Sequence, residues 1–340
     1  MKMKQIVFTD IGKAELTECE CREIKDNEVL VKTAFTTISN GTERANLMGD
    51  PSTNPYRDAD DKPVFPKFFG YSGSGIVISA GKAVENVKTG DRVAMSWSCH
   101  AGYNICSEDN VTVIDDDRVT LSEASMTHIA TFPMAAIRKT HLEMGESALV
   151  MGIGILGAFA VSLLRASGAV PIIAADPNKQ RRELALQLGA DYALDPTEKD
   201  FAEKVKELTQ GGANTAIEVT GLGKGLQQAL DCMARFGRVT LLGCTRNSDF
   251  TIDYYRKVHG PGITLIGAHT NARPIHESSP GWWTAADDRG AFLRMLAHGR
   301  IDAKKMISEV HSPADAPKVF DRLAYDKEFP FGVQFDWSKL

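Results

Sequence analysis

The chain reads as an α/β protein in which a β-rich N-terminal domain precedes a doubly wound parallel sheet. Three observations carry this reading. Up to about Val119, short runs of alternating apolar and polar residues are separated by glycine- and aspartate-rich breaks such as Gly81-Lys82 and Gly90-Asp91. From Ser147 onward, strand-like runs alternate with helical segments, the pattern of parallel strands joined by right-handed crossovers. Between the first two of those later strands lies Gly152-Ile153-Gly154-Ile155-Leu156-Gly157.

Size and composition set the frame for each element. At 340 residues the chain is long for one compact domain, so two domains are expected. A hydrophobic content of 43%, a charged content of 24% and a net charge of −5 describe a soluble protein with no basic field for nucleic acid or an anionic membrane. A small molecule is therefore the expected partner. The N-terminus enters a strand-like pattern without the apolar stretch of a secretion signal, and no later run reaches membrane-spanning length; the expected location is the cytoplasm. Cys19, Cys21, Cys99, Cys106, Cys232 and Cys244 are scattered, as suits reduced thiols rather than a disulfide framework.

The early strands are KQIVFT, AELTECECREI, EVLVKTAFTTI, GSGIVISAG and DRVAMSW, and Leu121 to Lys139 reads as one helix. The later strands are SALVM, VPIIAAD, DYALD, TAIEV, RVTLLG and ITLIGAH, six in all, as a complete dinucleotide-binding sheet requires. Beyond about Asn271 come Pro-Gly-Trp-Trp, the helix AFLRMLAHG and a closing FGVQFDW that is expected to rejoin the first domain. The expected domains are thus 1–124 with 270–340, and 125–269.

The glycine run follows an apolar strand and opens the helix AFAVSLLRASG, which aims backbone N–H groups and a positive helix end at a pyrophosphate. Gly152, Gly154, Ile155, Leu156 and Gly157 are therefore expected to bind the cofactor. Asp176, about twenty residues further on, can accept hydrogen bonds from ribose hydroxyls and would repel a 2′-phosphate, which favours NAD(H) over NADP(H). Arg181, Arg182 and Arg246 are the basic groups that would argue the other way, and Asp176 also reads as a helix N-cap ahead of Pro177. Thr220, Gly243 and Gly267, at the ends of later strands, complete the expected cofactor set.

GDRV at 90–93, GESALVMGIGILG at 145–157, ADPNKQRRELALQLGAD at 175–191 and IEVTG at 217–221 together give a chain that resembles the medium-chain dehydrogenase/reductase superfamily over nearly its whole length. The resemblance implies a GroES-like catalytic domain, a Rossmann domain and a homodimer or homotetramer. Zinc-dependent members carry Cys-Gly-Ser/Thr-Asp and Gly-His-Glu where this chain has Asn40-Gly41-Thr42-Glu43 and Gly70-Tyr71-Ser72. Neutral Asn and Tyr are poor zinc ligands beside thiolate and imidazole, so no catalytic zinc is expected. With only Cys99 and Cys106 in the region of the family's four structural cysteines, no structural zinc is expected either. ISNGTER at 38–44 with GYSGSG at 70–75 is similar to a zinc-free branch that includes the bacteriochlorophyllide hydroxyethyl dehydrogenases.

Without zinc, side chains must handle the proton that accompanies hydride transfer. Thr42 stands where the family keeps a Ser or Thr that relays the alcohol proton, or it bonds locally in the turn after Gly41. Tyr71 could polarise a carbonyl, or its ring could plug the vacant metal pocket. Glu43 is a candidate base or a backbone anchor. His259 and His269 flank the last strand, whose end should lie near the nicotinamide, and His259 is the leading acid/base candidate. His100 and His128 are placed by no motif. Trp282 and Trp283 would suit a sugar ring or a flat substrate, or belong to an interface or core. The main expectation is a zinc-independent NAD(H)-dependent alcohol dehydrogenase or carbonyl reductase acting on an alcohol or carbonyl, including a polyol or sugar. A quinone or enone reductase and a non-catalytic nicotinamide-binding redox sensor are the alternatives.

Overall fold

A computed structural model of the chain describes residues 1–53, 62–245, 248 and 250–340. Arg246 thus lies outside the described residues. In chain order the first elements are β1 (Lys2–Asp10), β2 (Lys13–Glu20), β3 (Glu28–Thr37), α1 (Asn40–Leu47), β4 (Ser72–Ala80), β5 (Arg92–Ser96), β6 (Tyr103–Ser107) and β7 (Val111–Val113). Then come α2 (Leu121–Ala124), α3 (Thr127–Lys139), β8 (Ala148–Met151), α4 (Ile155–Ala166), β9 (Ile172–Ala175), α5 (Lys179–Gln187), β10 (Tyr192–Leu194), α6 (Phe201–Leu208) and β11 (Ala213–Glu218). The last are α7 (Gly223–Asp231), β12 (Met233–Leu241), β13 (Thr264–Gly267), α8 (Ala285–Ala297), β14 (Glu309–His311), α9 (Ala316–Tyr325) and β15 (Val333–Asp336).

Two compact units result: Met1–Ile129 with Arg289–Leu340, and Ala130–Asp288. The second boundary differs from the expected 269/270, and the side chains on either side of it give the reason. Asp288, fully buried, pairs with Arg138 and Arg273 inside the second unit. Its neighbour Arg289 donates instead to Thr112 Oγ1 and the Asp109 carbonyl inside the first.

In the first unit β1 and β2 form an antiparallel pair. The main sheet runs β14-β15-β3-β4-β5-β7, with β6 also on β3. Period-two patterning turns Val29, Val31, Val77, Val93 and Met95 into one core face. The closing strand does rejoin this unit: β15 pairs antiparallel with β3, and its buried Gln334 donates to Thr37 Oγ1, Ser125 Oγ and the Ser122 carbonyl. The single helix expected over Leu121–Lys139 is two. Thr120 and Glu123 form a capping box that starts α2, and Ser125 ends it by bonding back to the Ser122 carbonyl.

The second unit holds one six-stranded parallel sheet in the order β10-β9-β8-β11-β12-β13. The strands β8, β9 and β11 are buried along nearly their whole length, as both faces of a parallel sheet must be. The strand order reverses between β8 and β11, the position at which open parallel sheets bind ligands beyond their C-terminal ends. Among the described residues, no helix is long and apolar enough to cross a membrane.

Candidate active site

The glycine turn leaves β8 at the reversal point. Gly152 has φ 93° and sits so close to Thr220 that a Cβ would lie 2.9 Å from its Cγ2. A Cβ on Gly157 would lie 2.0 Å from the Gly152 carbonyl oxygen, so α4 can begin against the turn only with glycine there. Gly154 is the N-cap of α4 with no side chain to cap it, and Ile155 and Leu156 open the first turn, which leaves N–H groups for an anion. Asp176 follows β9 and is 4% exposed. Its carboxylate accepts from Ile153 N (2.8 Å) and Asn178 N (2.8 Å), tying the end of β9 to the turn. The N-cap of α5 is Asn178, which accepts from Arg181 N, so Asp176 is free of that role.

At the neighbouring strand ends, Glu218 is 2% exposed. It accepts from Thr220 N and Oγ1 and from Gly221 N; burial raises its pKa, and these bonds act against the rise. Gly243 and Leu242 donate to the Glu218 carbonyl, and Gly243 approaches Gly221 so closely that a Cβ would lie 2.2 Å from its nitrogen. Gly267 ends β13 with open space where a Cβ would be. Gly152, Gly154, Gly157, Asp176, Thr220, Gly243 and Gly267 therefore gather at one end of the sheet.

His259 does not join them. β13 runs parallel to β12, and His259 precedes it, on the side where Phe236 N donates to the Pro261 carbonyl. A strand of this length separates it from the Gly267 end by about 10 Å. His259 is exposed, with its ring stacked on Tyr255 at 5.7 Å. The expectation of a catalytic His259 is thus corrected by strand direction. His269, at the other end, is the histidine on the crevice side, and its Nδ1 accepts from Asn271 N.

In the first unit, Ser39 caps α1 without using its side chain on the helix. The Tyr71 hydroxyl instead donates to Ser39 Oγ, while Glu43 Oε1 accepts from Ser39 N at 2.8 Å. Forgoing an N-cap bond costs about 1 kcal/mol, which marks the Ser39–Tyr71 pair as a feature maintained for another reason. The Tyr71 ring meets His128 edge-on at 5.4 Å and Trp97 at 6.1 Å. Thr42 lies one helical turn beyond Ser39; it is half-buried, and its hydroxyl has no hydrogen-bond partner among the described residues.

Glu43 is fully buried, and its second oxygen meets His100 Nε2 at 2.9 Å. His100 Nδ1 lies 2.7 Å from Thr36 Oγ1, which also accepts from Trp337 Nε1, so the imidazole bridges Glu43 and Thr36. Both Glu43 oxygens are occupied in the core, which corrects the expectation of an acid/base role: Glu43 anchors α1 under Ser39. Gln keeps one accepting oxygen but turns its NH2 toward the other of the two positions that Glu43 fills with carboxylate oxygens. Glu43→Gln should lower the unfolding free energy by about 3 kcal/mol in chemical denaturation, and an unchanged midpoint would contradict the anchor.

The residues at the family's metal-ligand positions do not fit zinc. The Asn40 amide donates to the Pro330 carbonyl at 2.9 Å, and its Oδ1 is buried with no partner among the described residues. Amide oxygen and phenol are a weak donor set beside thiolate and histidine. The sequence placed Tyr71 and Thr42 here but missed Ser39, Trp97, His100 and His128, whose contacts join distant segments; His100 and its partner Thr36 are 64 positions apart.

Comparison with known proteins agrees with this architecture. Residues 25–160 match the family model described as alcohol dehydrogenase GroES-like domain, and residues 156–281 match zinc-binding dehydrogenase. The L-threonine 3-dehydrogenase of Pyrococcus horikoshii is 29% identical, over 92% of this chain and 93% of that protein. The D-guloside 3-dehydrogenase of Escherichia coli is 25% identical over 94% and 95%. The crystal structure of galactitol-1-phosphate dehydrogenase from Escherichia coli superposes with a TM-score of 0.84 at 18% identity, over 98% of this chain and all of that one. With two family models together spanning residues 25–281, the chain belongs to the medium-chain dehydrogenase/reductase superfamily.

Proposed function

We propose that this oxidoreductase is zinc-independent, uses NAD(H), and interconverts an alcohol and a carbonyl, with polyols or sugars as the substrate class. The observation that carries the reading is the Tyr71 hydroxyl on Ser39, at the position where zinc-dependent relatives place a ligand. The named relatives are dehydrogenases of threonine, a guloside and a galactitol phosphate, which supports alcohol chemistry.

The glycine turn and the first turn of α4 would hold the pyrophosphate, and Asp176 the adenosine ribose. A bound nicotinamide supplies hydride exchange with carbon. In the reducing direction Tyr71 donates its proton to the substrate oxygen as negative charge develops there, and Ser39 Oγ then hydrogen-bonds the phenolate. In oxidation the step runs in reverse: the Tyr71 phenolate, hydrogen-bonded by Ser39 Oγ, takes the alcohol proton and returns to the phenol. Thr42, whose hydroxyl is uncommitted, supplies a second hydrogen bond to that oxygen. Following NADH absorbance with a panel of polyols, sugars and aldehydes tests the reading; absence of turnover on all of them, with NADH still bound, would favour a redox sensor.

Cofactor choice rests on Asp176. Arg182 donates to the Asp176 and Pro177 carbonyls and to Asp195, so it is committed to structure rather than to a 2′-phosphate. Arg181 lies 3.8 Å from Asp176 Oδ2. In fluorescence titrations NADH should bind at least about tenfold more tightly than NADPH, and Asp176→Ser should narrow the gap; preference for NADPH in the unaltered protein would overturn the assignment.

A further inference from the structure

The second unit contains a buried cation with no anionic partner among its described residues. Lys139, the last residue of α3, is 3% exposed. Its ammonium donates to the Gly267 carbonyl at 2.9 Å, the only hydrogen bond it makes among the described residues, and lies 5.2 Å from the centre of the Trp282 ring. Arg273, with a side chain 7% exposed, stands near enough to repel it. The buried carboxylate here, Asp288, is shared by Arg138 at 2.8 Å and Arg273 at 3.4 Å, and the exposed Asp287 beside it bonds Ser278 and Thr284. Two buried cationic side chains, Lys139 and Arg273, thus stand with one buried carboxylate, which the partly exposed Arg138 also shares. The Trp282 face and the Gly267 carbonyl offset part of the excess, but neither bears a formal negative charge. A buried ammonium with unfilled donors is strongly disfavoured unless something completes it.

We infer that Lys139, reinforced by Arg273 and bordered by Trp282, forms an oxyanion site at the C-terminal end of β13, and that its occupant is a carboxylate or phosphate group on the substrate. The cofactor's pyrophosphate is not that occupant. β8, which carries the glycine turn, and β13 are separated by β11 and β12, three strand spacings or about 14 Å. Burial and the Arg273 charge lower the Lys139 pKa, as expected of a site waiting for an anion. That the anion belongs to the substrate rests on the proposed alcohol–carbonyl chemistry; the anion site itself does not.

The test uses NADH-saturated protein, so that the pyrophosphate site is filled, and titrates inorganic phosphate and succinate by calorimetry at constant ionic strength. At least one should bind saturably, and Lys139→Met should weaken that binding by at least about tenfold, the scale of a charge-assisted hydrogen bond lost from a buried site. Met matches the length of the stem and removes an uncompensated charge, so the variant should melt no lower than the parent; Lys139→Gln serves as the second variant. No saturable binding of either oxyanion, or equal binding by parent and variants, overturns the site. In turnover assays, the preference for a phosphorylated or carboxylated polyol over its neutral counterpart should fall by about tenfold in Lys139→Met. Oxyanion binding that depends on Lys139, in a protein that turns over no alcohol or carbonyl, would uphold the site and overturn the dehydrogenase reading instead.

Discussion

Tyr71→Phe should lower turnover by about 10²- to 10⁴-fold while leaving NADH affinity within about twofold, because the hydroxyl serves proton transfer and is no part of the glycine cradle. Phe keeps the ring that meets His128 at 5.4 Å and Trp97 at 6.1 Å, so packing in the first unit is preserved. What is lost is the hydrogen bond to Ser39 Oγ and the proton it positions. Ser39→Ala should give a smaller loss, about tenfold, and Thr42→Val a loss of similar size, since each removes one supporting hydrogen bond. Steady-state kinetics beside NADH fluorescence titration separates the outcomes. If Tyr71→Phe turns over at the parental rate, the ring is a plug for an abandoned metal pocket and the proposed proton path is wrong.

Gly157→Ala should weaken NADH binding by at least about 100-fold, equivalent to roughly 2.7 kcal/mol. The added Cβ would stand 2.0 Å from the Gly152 carbonyl oxygen and 3.0 Å from its carbon, and both are backbone atoms that cannot rotate aside. The turn must open, and the N–H groups at the start of α4 move with it. Gly154→Ala separates this packing effect from cofactor contact. Its Cβ meets nothing within 4 Å, so stability should hold, while affinity should still fall because the pyrophosphate approaches the backbone there. Thermal unfolding and NADH titration of the two variants check the distinction. Parental affinity in Gly157→Ala would mean that the close approach does not set the shape of the cradle.

The parallel sheet and its glycine turn were legible because backbone sterics and strand burial leave local marks: apolar runs, a G-x-G-x-x-G spacing, an acidic residue after the second strand. Tyr71 and Thr42 were legible only through a family pattern. Ser39 was not, because its side chain faces Tyr71 rather than capping the helix it precedes, and a serine before a helix reads as a cap. Of the two readings of Glu43, base or backbone anchor, the bond from Ser39 N fits the anchor; its partner His100, 57 residues away, left no local trace. His259 shows a different kind of error: it precedes β13, and the direction of a parallel strand brings only residues C-terminal to it, here His269, to the crevice. The later boundary was missed because the Asp288 ion pairs reach back to Arg138, 150 positions earlier.

The central claim, alcohol–carbonyl chemistry carried by side chains in place of zinc, is tested most directly by measuring metal content and turnover on the same sample. Protein dialysed against chelator and analysed for metals should contain far less than one zinc per chain, and should oxidise or reduce a substrate from the polyol, sugar and aldehyde panel at an undiminished rate. About one zinc per chain, with activity lost to the chelator and restored by zinc, would contradict it.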